Sequence, residues 1–166
     1  MLQRLQSIPA ISCSYMLVHV ISQQCPNGWY GYSLQGKCYK FNTANKLTWQ
    51  DARVFCQTHQ GDLLRVDTAN ELRWVLNQIR SNYRQHAHYN GTVWTGLNNR
   101  EYLTAWEWAD GTPAGNFIPW NPNEPNNYRG REGCAGIVAS GKFNDDQCSN
   151  KYPFVCSRDR GKLLNI

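Results

Sequence analysis

Seven cysteines constrain this 166-residue chain more than any other feature it carries. Six of them, Cys25, Cys38, Cys56, Cys134, Cys148 and Cys156, spread from near one end of the chain to the other. The seventh, Cys13, stands apart in the first 22 residues. Six thiols in one short chain read as a disulfide framework, which persists in oxidising compartments. Spacing alone leaves fifteen connectivities open. Residues 1–22 carry Arg4 and then a mostly apolar stretch from Ile8 to Ile21, diluted by Pro9, Ser12, Ser14, Tyr15 and His19. That stretch falls short of the ~20 apolar residues of a membrane span. It reads instead as a secretory signal peptide cut after Ser22. Its removal takes Cys13 away and leaves an even set to pair, with no membrane span in the mature chain. The acceptor triplet Asn90-Gly91-Thr92 points to N-glycosylation at Asn90 and to the same secreted, extracellular setting.

The length fits one domain with its own core. Seven Trp and nine Tyr give that core large aromatic pieces, with polar tips that can brace irregular backbone. The formal charge is +5, with Arg and Lys scattered and not massed on one segment, so a nucleic-acid partner is not expected.

Along the chain, Cys25-Pro-Asn-Gly-Trp29 reads as a turn, and Lys37-Cys38-Tyr-Lys-Phe41 as a strand with a period of two. Thr48 is placed as a helix N-cap, Trp49, Ala52 and Cys56 recur at helical spacing, and Gly61 reads as the stop. Thr68-Ala-Asn-Glu71 is a capping box that starts a second helix with Leu72, Leu76 and Ile79 on one face. Thr92 to Leu97 reads as a buried strand, Trp106-Glu107-Trp108 as an alternating strand, and Ile137, Phe143 and Phe154-Val155-Cys156 as closing strands. Trp94, Trp106 and Trp108 are assigned to the core. Between them, residues 110–133 are rich in Gly, Pro and Asn with no sustained period. A connection longer than about 12–15 residues is uncommon unless it is functional or disordered. Phe117, Ile118 and Trp120 within it point to an ordered functional loop.

That loop and the segment after it concentrate oxygen ligands: Glu124 and Asn126 about Pro125, Glu132 just before Cys134, and Asn144-Asp145 shortly before Cys148. Three carboxylates and two carboxamides suit a hard cation such as calcium, whereas zinc prefers nitrogen and sulfur. Arg129 and Arg131, inside the same segment, read as a solvated loop edge. His86 and His88 alternate as a zinc pair would, but no third ligand lies near them in sequence, and a solvated loop is the simpler assignment.

In order and spacing these elements resemble the C-type lectin-like domain over about residues 25 to 158. The resemblance implies an α+β fold with two helices, small antiparallel sheets and a long ordered calcium-binding loop, stapled by disulfides. The domain is expected over 23–158, with a tail over 159–166. It implies the pairs Cys25–Cys38, Cys56–Cys156 and Cys134–Cys148. It also implies a calcium ion held by Glu124, Asn126, Glu132, Asn144 and Asp145, with a cis peptide before Pro125. In such a site the same five residues bind the sugar. Glu124 and Glu132 accept protons from two adjacent hydroxyls, and Asn126 and Asn144 donate to their lone pairs. The Glu-Pro-Asn order implies the mannose, fucose or N-acetylglucosamine class, and Tyr128 is placed to pack against a sugar face. Asn127, Gly133, Asn98, Asn99 and Arg100 stand where family members with an auxiliary calcium carry acids, so that second site is expected to be weak or absent. Phe143 replaces the usual Trp of the Trp-Asn-Asp triplet and keeps an aromatic there.

The reading is therefore a secreted, calcium-dependent lectin and not an enzyme. Its partners are glycans or glycoproteins, and homo-oligomers would raise the avidity of a single weak sugar site. The alternative on the same fold is a calcium-dependent binder of protein, mineral or ice surfaces. A glycoside hydrolase built on Glu124 and Glu132 is disfavoured because both are already accounted for as metal ligands.

Overall fold

The computed structural model describes residues 24–32, 36–83, 91–101 and 105–160. The segment assigned as a signal peptide, with Cys13, lies outside the described residues, as do Asn90, His86, His88 and residues 161–166 of the expected tail. In chain order the elements are β1 (Tyr30–Tyr32), β2 (Lys37–Leu47), α1 (Trp49–Thr58), β3 (Asp62–Leu63) and α2 (Ala69–Tyr83). There follow β4 (Val93–Asn98), a 3-10 turn (Tyr128–Gly130), β5 (Cys134–Ile137), β6 (Phe143–Asp146) and β7 (Tyr152–Asp159).

Both helices start as their sequences dictate. The Thr48 hydroxyl accepts the Asp51 N–H at 3.2 Å and caps α1. Asp51 in the first turn favours the positive end of the helix dipole. The end of α1 differs from expectation by one residue. Gln60, not Gly61, takes the left-handed conformation (φ 62°). Gln60 N–H then donates to the Gln57 carbonyl and Gly61 N–H to the Cys56 carbonyl, which satisfies the last turn of the helix. Gly61 is needed for a different reason: a Cβ there would meet the Ser157 carbonyl at 2.8 Å and the Trp29 ring at 2.9 Å.

The Thr68 cap of α2 is formed. Thr68 Oγ1 accepts the Glu71 N–H at 3.2 Å. The Glu71 carboxylate also reaches beyond the cap. It accepts the Asp67 N–H at 2.7 Å, pairs with Lys37 Nζ at 3.0 Å and accepts the Tyr39 hydroxyl. Glu71 is fully buried and Lys37 nearly so, so their pairing is what makes an ion pair under α2 tolerable.

The strands join in one antiparallel-rich sheet, ordered β1-β2-β7-β4-β5-β6 with β3 on β7, which with the two helices gives the expected α+β arrangement. A parallel contact pairs Trp94 of β4 with Phe154 of β7 and links the terminal strands to the half that carries the long loop. Along β7 the side chains alternate between two cores. Phe154 and Cys156 enter the core that holds Trp49 and Ala52 of α1, while Val155 enters the one that holds Leu72, Val75 and Ile79 of α2. The period of two thus sends neighbouring residues of one strand to opposite helices. Buried indoles keep polar partners: Trp49 Nε1 donates to the Thr95 carbonyl at 2.8 Å, and Trp94 Nε1 to the Leu47 carbonyl at 3.2 Å.

The disulfides are Cys25–Cys38, Cys56–Cys156 and Cys134–Cys148, the pairs implied by the resemblance. They tie the entry hairpin, α1 to β7, and the end of the loop to the segment after β6. One further expectation changes. Trp106-Glu107-Trp108 forms no strand; Glu107 makes isolated bridges to Asn98 and Pro113. Of its two indoles only Trp108 is fully buried, while Trp106 is half-buried against the core. At the other end, β7 runs to Asp159.

Candidate functional site

Residues 110–133 leave the sheet after β4 and return to it before β5. Their course is set by aromatic packing first. Trp120 lies edge-on to Trp106 at 4.8 Å and to Phe143 at 6.2 Å, and Phe143 is fully buried. The backbone follows: Asn121 N–H donates to the Phe143 carbonyl at 2.8 Å, and Phe143 N–H to the Pro119 carbonyl at 3.0 Å. The loop thus lies along β6, the strand that carries Asn144 and Asp145. On β6 the side chains alternate, so Phe143 and Asp145 are buried while Asn144 and Asp146 are only half-buried. Asp145 is a buried carboxylate at the base of the loop.

Asp145 is satisfied by the loop itself. Its Oδ1 accepts the Asn126 N–H at 3.1 Å and its Oδ2 the Asn127 N–H at 2.7 Å. The Glu124–Pro125 peptide is cis, and the two side chains that flank it meet: Asn126 Nδ2 donates to Glu124 Oε1 at 2.9 Å. Glu132 closes the turn, with Oε2 accepting the Tyr128 N–H at 2.8 Å and its own N–H donating to Asn127 Oδ1 at 3.2 Å. Asn144 Nδ2 donates to the Asp145 carbonyl, which leaves Asn144 Oδ1 as the atom it can offer a cation. Glu124, Asn126 and Asp145 are thus in direct contact, Asn144 lies against Asp145, and Glu132 is joined to them through the backbone of residues 127 and 128. Tyr128 lies on the rim, 56% exposed.

The electrostatics are those of crowded like charges. Burial and the neighbouring Asp145 carboxylate push the Glu124 carboxyl above its ordinary value. Burial, with Asp145 and Asp146 nearby, raises Glu132 despite the Tyr128 N–H that opposes it. A divalent cation placed among them would relieve the like-charge part of that repulsion. Among the described residues no group of three or more His, Cys, Asp or Glu gathers tightly enough to hold a metal on its own. The donor set here mixes carboxylate and amide oxygens, which fits calcium's need for six to eight oxygens and no other metal as well. Each carboxylate oxygen that accepts one N–H keeps a lone pair for an ion.

Asn127 carries more of the geometry than its sequence suggested. It takes a left-handed conformation (φ 45°), sends its N–H to Asp145 and receives the Glu132 N–H on its side chain. The tolerance of Asn for that conformation was the available signal. Beside it lies a cavity of about 350 Å³ lined by Asn99, Asn127, Arg131, Glu132 and Gly133, among others. One carboxylate and one guanidinium line the place where an auxiliary calcium would need acids.

A family profile, "Lectin C-type domain", matches residues 45–158. The chain is 35% identical over 135 residues to human "C-type lectin domain family 17, member A", covering 81% of this chain and 32% of that protein. It spans 32% or less of the length of the first curated relatives it matches. In structure it is similar to the human scavenger receptor C-type lectin carbohydrate-recognition domain, with a TM-score of 0.70 and 30% identity, over 82% of this chain and all of that one. A calcium-independent type II antifreeze protein shares the fold at a TM-score of 0.67 and 23% identity, over 82% of this chain and 95% of that one.

Proposed function

The chain belongs to the C-type lectin domain family, and from that premise we propose that it binds carbohydrate through calcium held by Glu124, Asn126, Glu132, Asn144 and Asp145. The family is not enzymatic, so Glu124 and Glu132 are not read as hydrolytic acids. The observation that carries the reading is the Asp145 clamp. A buried carboxylate fixes the backbone of Asn126 and Asn127 and so aims the Glu124 and Asn126 side chains together.

Calcium bound there would polarise two adjacent hydroxyl oxygens of a pyranose and add charge-dipole attraction. The residues do the rest. Asn126 Nδ2 and Glu124 Oε1 form a donor–acceptor pair at 2.9 Å. A sugar hydroxyl that enters between them accepts from the amide and donates to the carboxylate, so neither partner is left unpaired. Asn144 and Glu132 offer the same pairing to the second hydroxyl. The Glu-before-Asn order supports the mannose, fucose or N-acetylglucosamine class, and Tyr128 supplies an exposed ring for the sugar's apolar face.

Three disulfides support a secreted or extracellular setting, with residues 1–22 as signal, 23–158 as the binding domain and Asn90 as a glycosylation site. Among the described residues no helix is long and apolar enough to cross a membrane. Homo-oligomers would supply the avidity that one sugar site lacks.

Glycan-array binding with calcium and with a chelator tests the reading. Capture of mannose-type glycans that the chelator abolishes, and that free mannose competes better than galactose, is the expected result. Calcium-dependent binding to protein, mineral or ice surfaces, with no glycan captured, would point to the surface-binding alternative.

A further inference from the structure

Arg129 and Arg131 stand on the loop segment that carries the candidate ligands, and both are exposed. Elsewhere Arg53 is paired with Asp62, and Arg65 with Asp67 and Asp110. Among the described residues no carboxylate pairs with the guanidinium of Arg129 or Arg131. Arg129 lies over the Tyr128 ring, its guanidinium carbon 5.0 Å from the centroid, and so extends the rim on which a sugar would rest. It does so from a left-handed backbone (φ 58°), a conformation that L side chains rarely adopt. The turn is fixed by the Tyr128 N–H on Glu132 and the Gly130 N–H on the Asn127 carbonyl. Strain held in place by its surroundings in this way is typical of ligand-binding segments.

Arg131 lines the cavity of about 350 Å³ whose wall includes Asn127 and Glu132. That cavity and the candidate site share Glu132, so a sugar seated on the site would have the cavity beside it. An anionic glycan approaching Glu124, Glu132 and Asp145 meets repulsion unless a positive group offsets it. Two guanidinium forks beside the cage provide that offset with the bidentate geometry that oxyanions favour.

We propose, resting on the lectin reading above, that Arg129 and Arg131 form an anion subsite that selects glycans bearing a sulfate ester or a carboxylate next to the calcium-held sugar. The loop then has two functions. The acid–amide cage reads vicinal hydroxyls, and the arginine edge reads charge.

The test uses the whole chain, calcium and one oligosaccharide core immobilised in neutral, sulfated and sialylated forms. The expected result is binding about fivefold to tenfold tighter to a charged form than to the neutral one, as two exposed charge-assisted contacts supply. That preference shrinks with added salt, because exposed charges are screened. Which charged form wins tells a sulfate from a carboxylate. Arg129→Asn with Arg131→Gln collapses the charged-to-neutral ratio toward one, while Arg129→Lys with Arg131→Lys keeps part of it. Calcium-dependent binding with no preference for charge, or a preference that survives the neutralising pair, overturns the inference and leaves the lectin reading standing. An array with no calcium-dependent binding to any form overturns both.

Discussion

Asp145 grips Asn126 across nineteen positions of sequence: the buried carboxylate takes the Asn126 N–H on Oδ1 and the neighbouring Asn127 N–H on Oδ2. A strand residue thereby fixes the conformation of a loop that has no regular ladder of its own. Asp145→Asn replaces one acceptor oxygen with a donor facing those N–H groups. Hydrogen bonds to a buried charge are worth about 1.5–3 kcal/mol each. Asp145→Asn is expected to lose about 2 kcal/mol of stability and calcium-dependent sugar binding together, read by thermal melts and calorimetric calcium titration. Unchanged calcium affinity would contradict its role as the clamp.

Exchanging acceptor and donor across Pro125 should change the sugar. Glu124→Gln with Asn126→Asp keeps the oxygen count for a cation but reverses the pairing seen between Asn126 Nδ2 and Glu124 Oε1. Inhibition by galactose is expected to rise relative to mannose. An unaltered inhibition order would refute the hydroxyl-pairing mechanism.

Beneath α2, Glu71 is the partner of Lys37 and Tyr39 in the core. Glu71→Ala leaves buried Lys37 only the half-exposed Asp67 carboxylate and leaves the Tyr39 hydroxyl without its acceptor, and is expected to cost about 3 kcal/mol in urea unfolding. Lys37→Met together with Glu71→Leu removes both charges and should cost much less. Equal losses would mean that the pairing is not what tolerates burial.

Stability against acid should depend on Asp67. Burial alone would raise its carboxyl, but the Lys37 ammonium and Arg65 guanidinium prevail and hold it below the ordinary range. A carboxylate depressed in the folded state contributes stability that is complete above its unfolded pKa and is lost as pH falls through the folded one. The loss therefore develops below about pH 4. Asp67→Asn is expected to be less stable than wild type at neutral pH, with the two melting curves converging on acidification. A constant gap between them down to acid would exclude this linkage.

The disulfides should separate stability from binding. Cys56–Cys156 closes a separation of 100 residues and Cys134–Cys148 one of 14. In the chain-entropy model the longer loop is worth about 1–2 kcal/mol more. Replacing Cys56 and Cys156 by Ala is expected to lower the melting temperature most. Replacing Cys134 and Cys148 by Ala should weaken calcium binding more, since that bridge anchors the strand that follows Glu132.

Local chemistry alone determined much of this protein. Thr48 caps α1 because its hydroxyl reaches only three residues along the chain, and the apolar spacing of Leu72 and Ile79 identifies the buried face of α2 in the same local way. The six cysteines and the order of Glu124, Asn126, Glu132, Asn144 and Asp145 carried the family resemblance, because a ligand set is written in residue type and spacing. Only the tertiary structure decided the rest, where partners lie far apart in sequence. Glu71 starts α2 with Thr68, yet its carboxylate also draws Lys37 and Tyr39 from β2. Gly61 stops no helix; Ser157 and Trp29 crowd the space a side chain would need. Trp106 to Trp108 alternate like a strand, yet Glu107 meets only Asn98 and Pro113 in single bridges. Arg129 and Arg131 read as an ordinary solvated edge until the fold placed them, without carboxylate partners among the described residues, beside the loop that Asp145 holds. Hydrogen bonding and burial at long range depend on which strands become neighbours, and that is settled by the sheet as a whole.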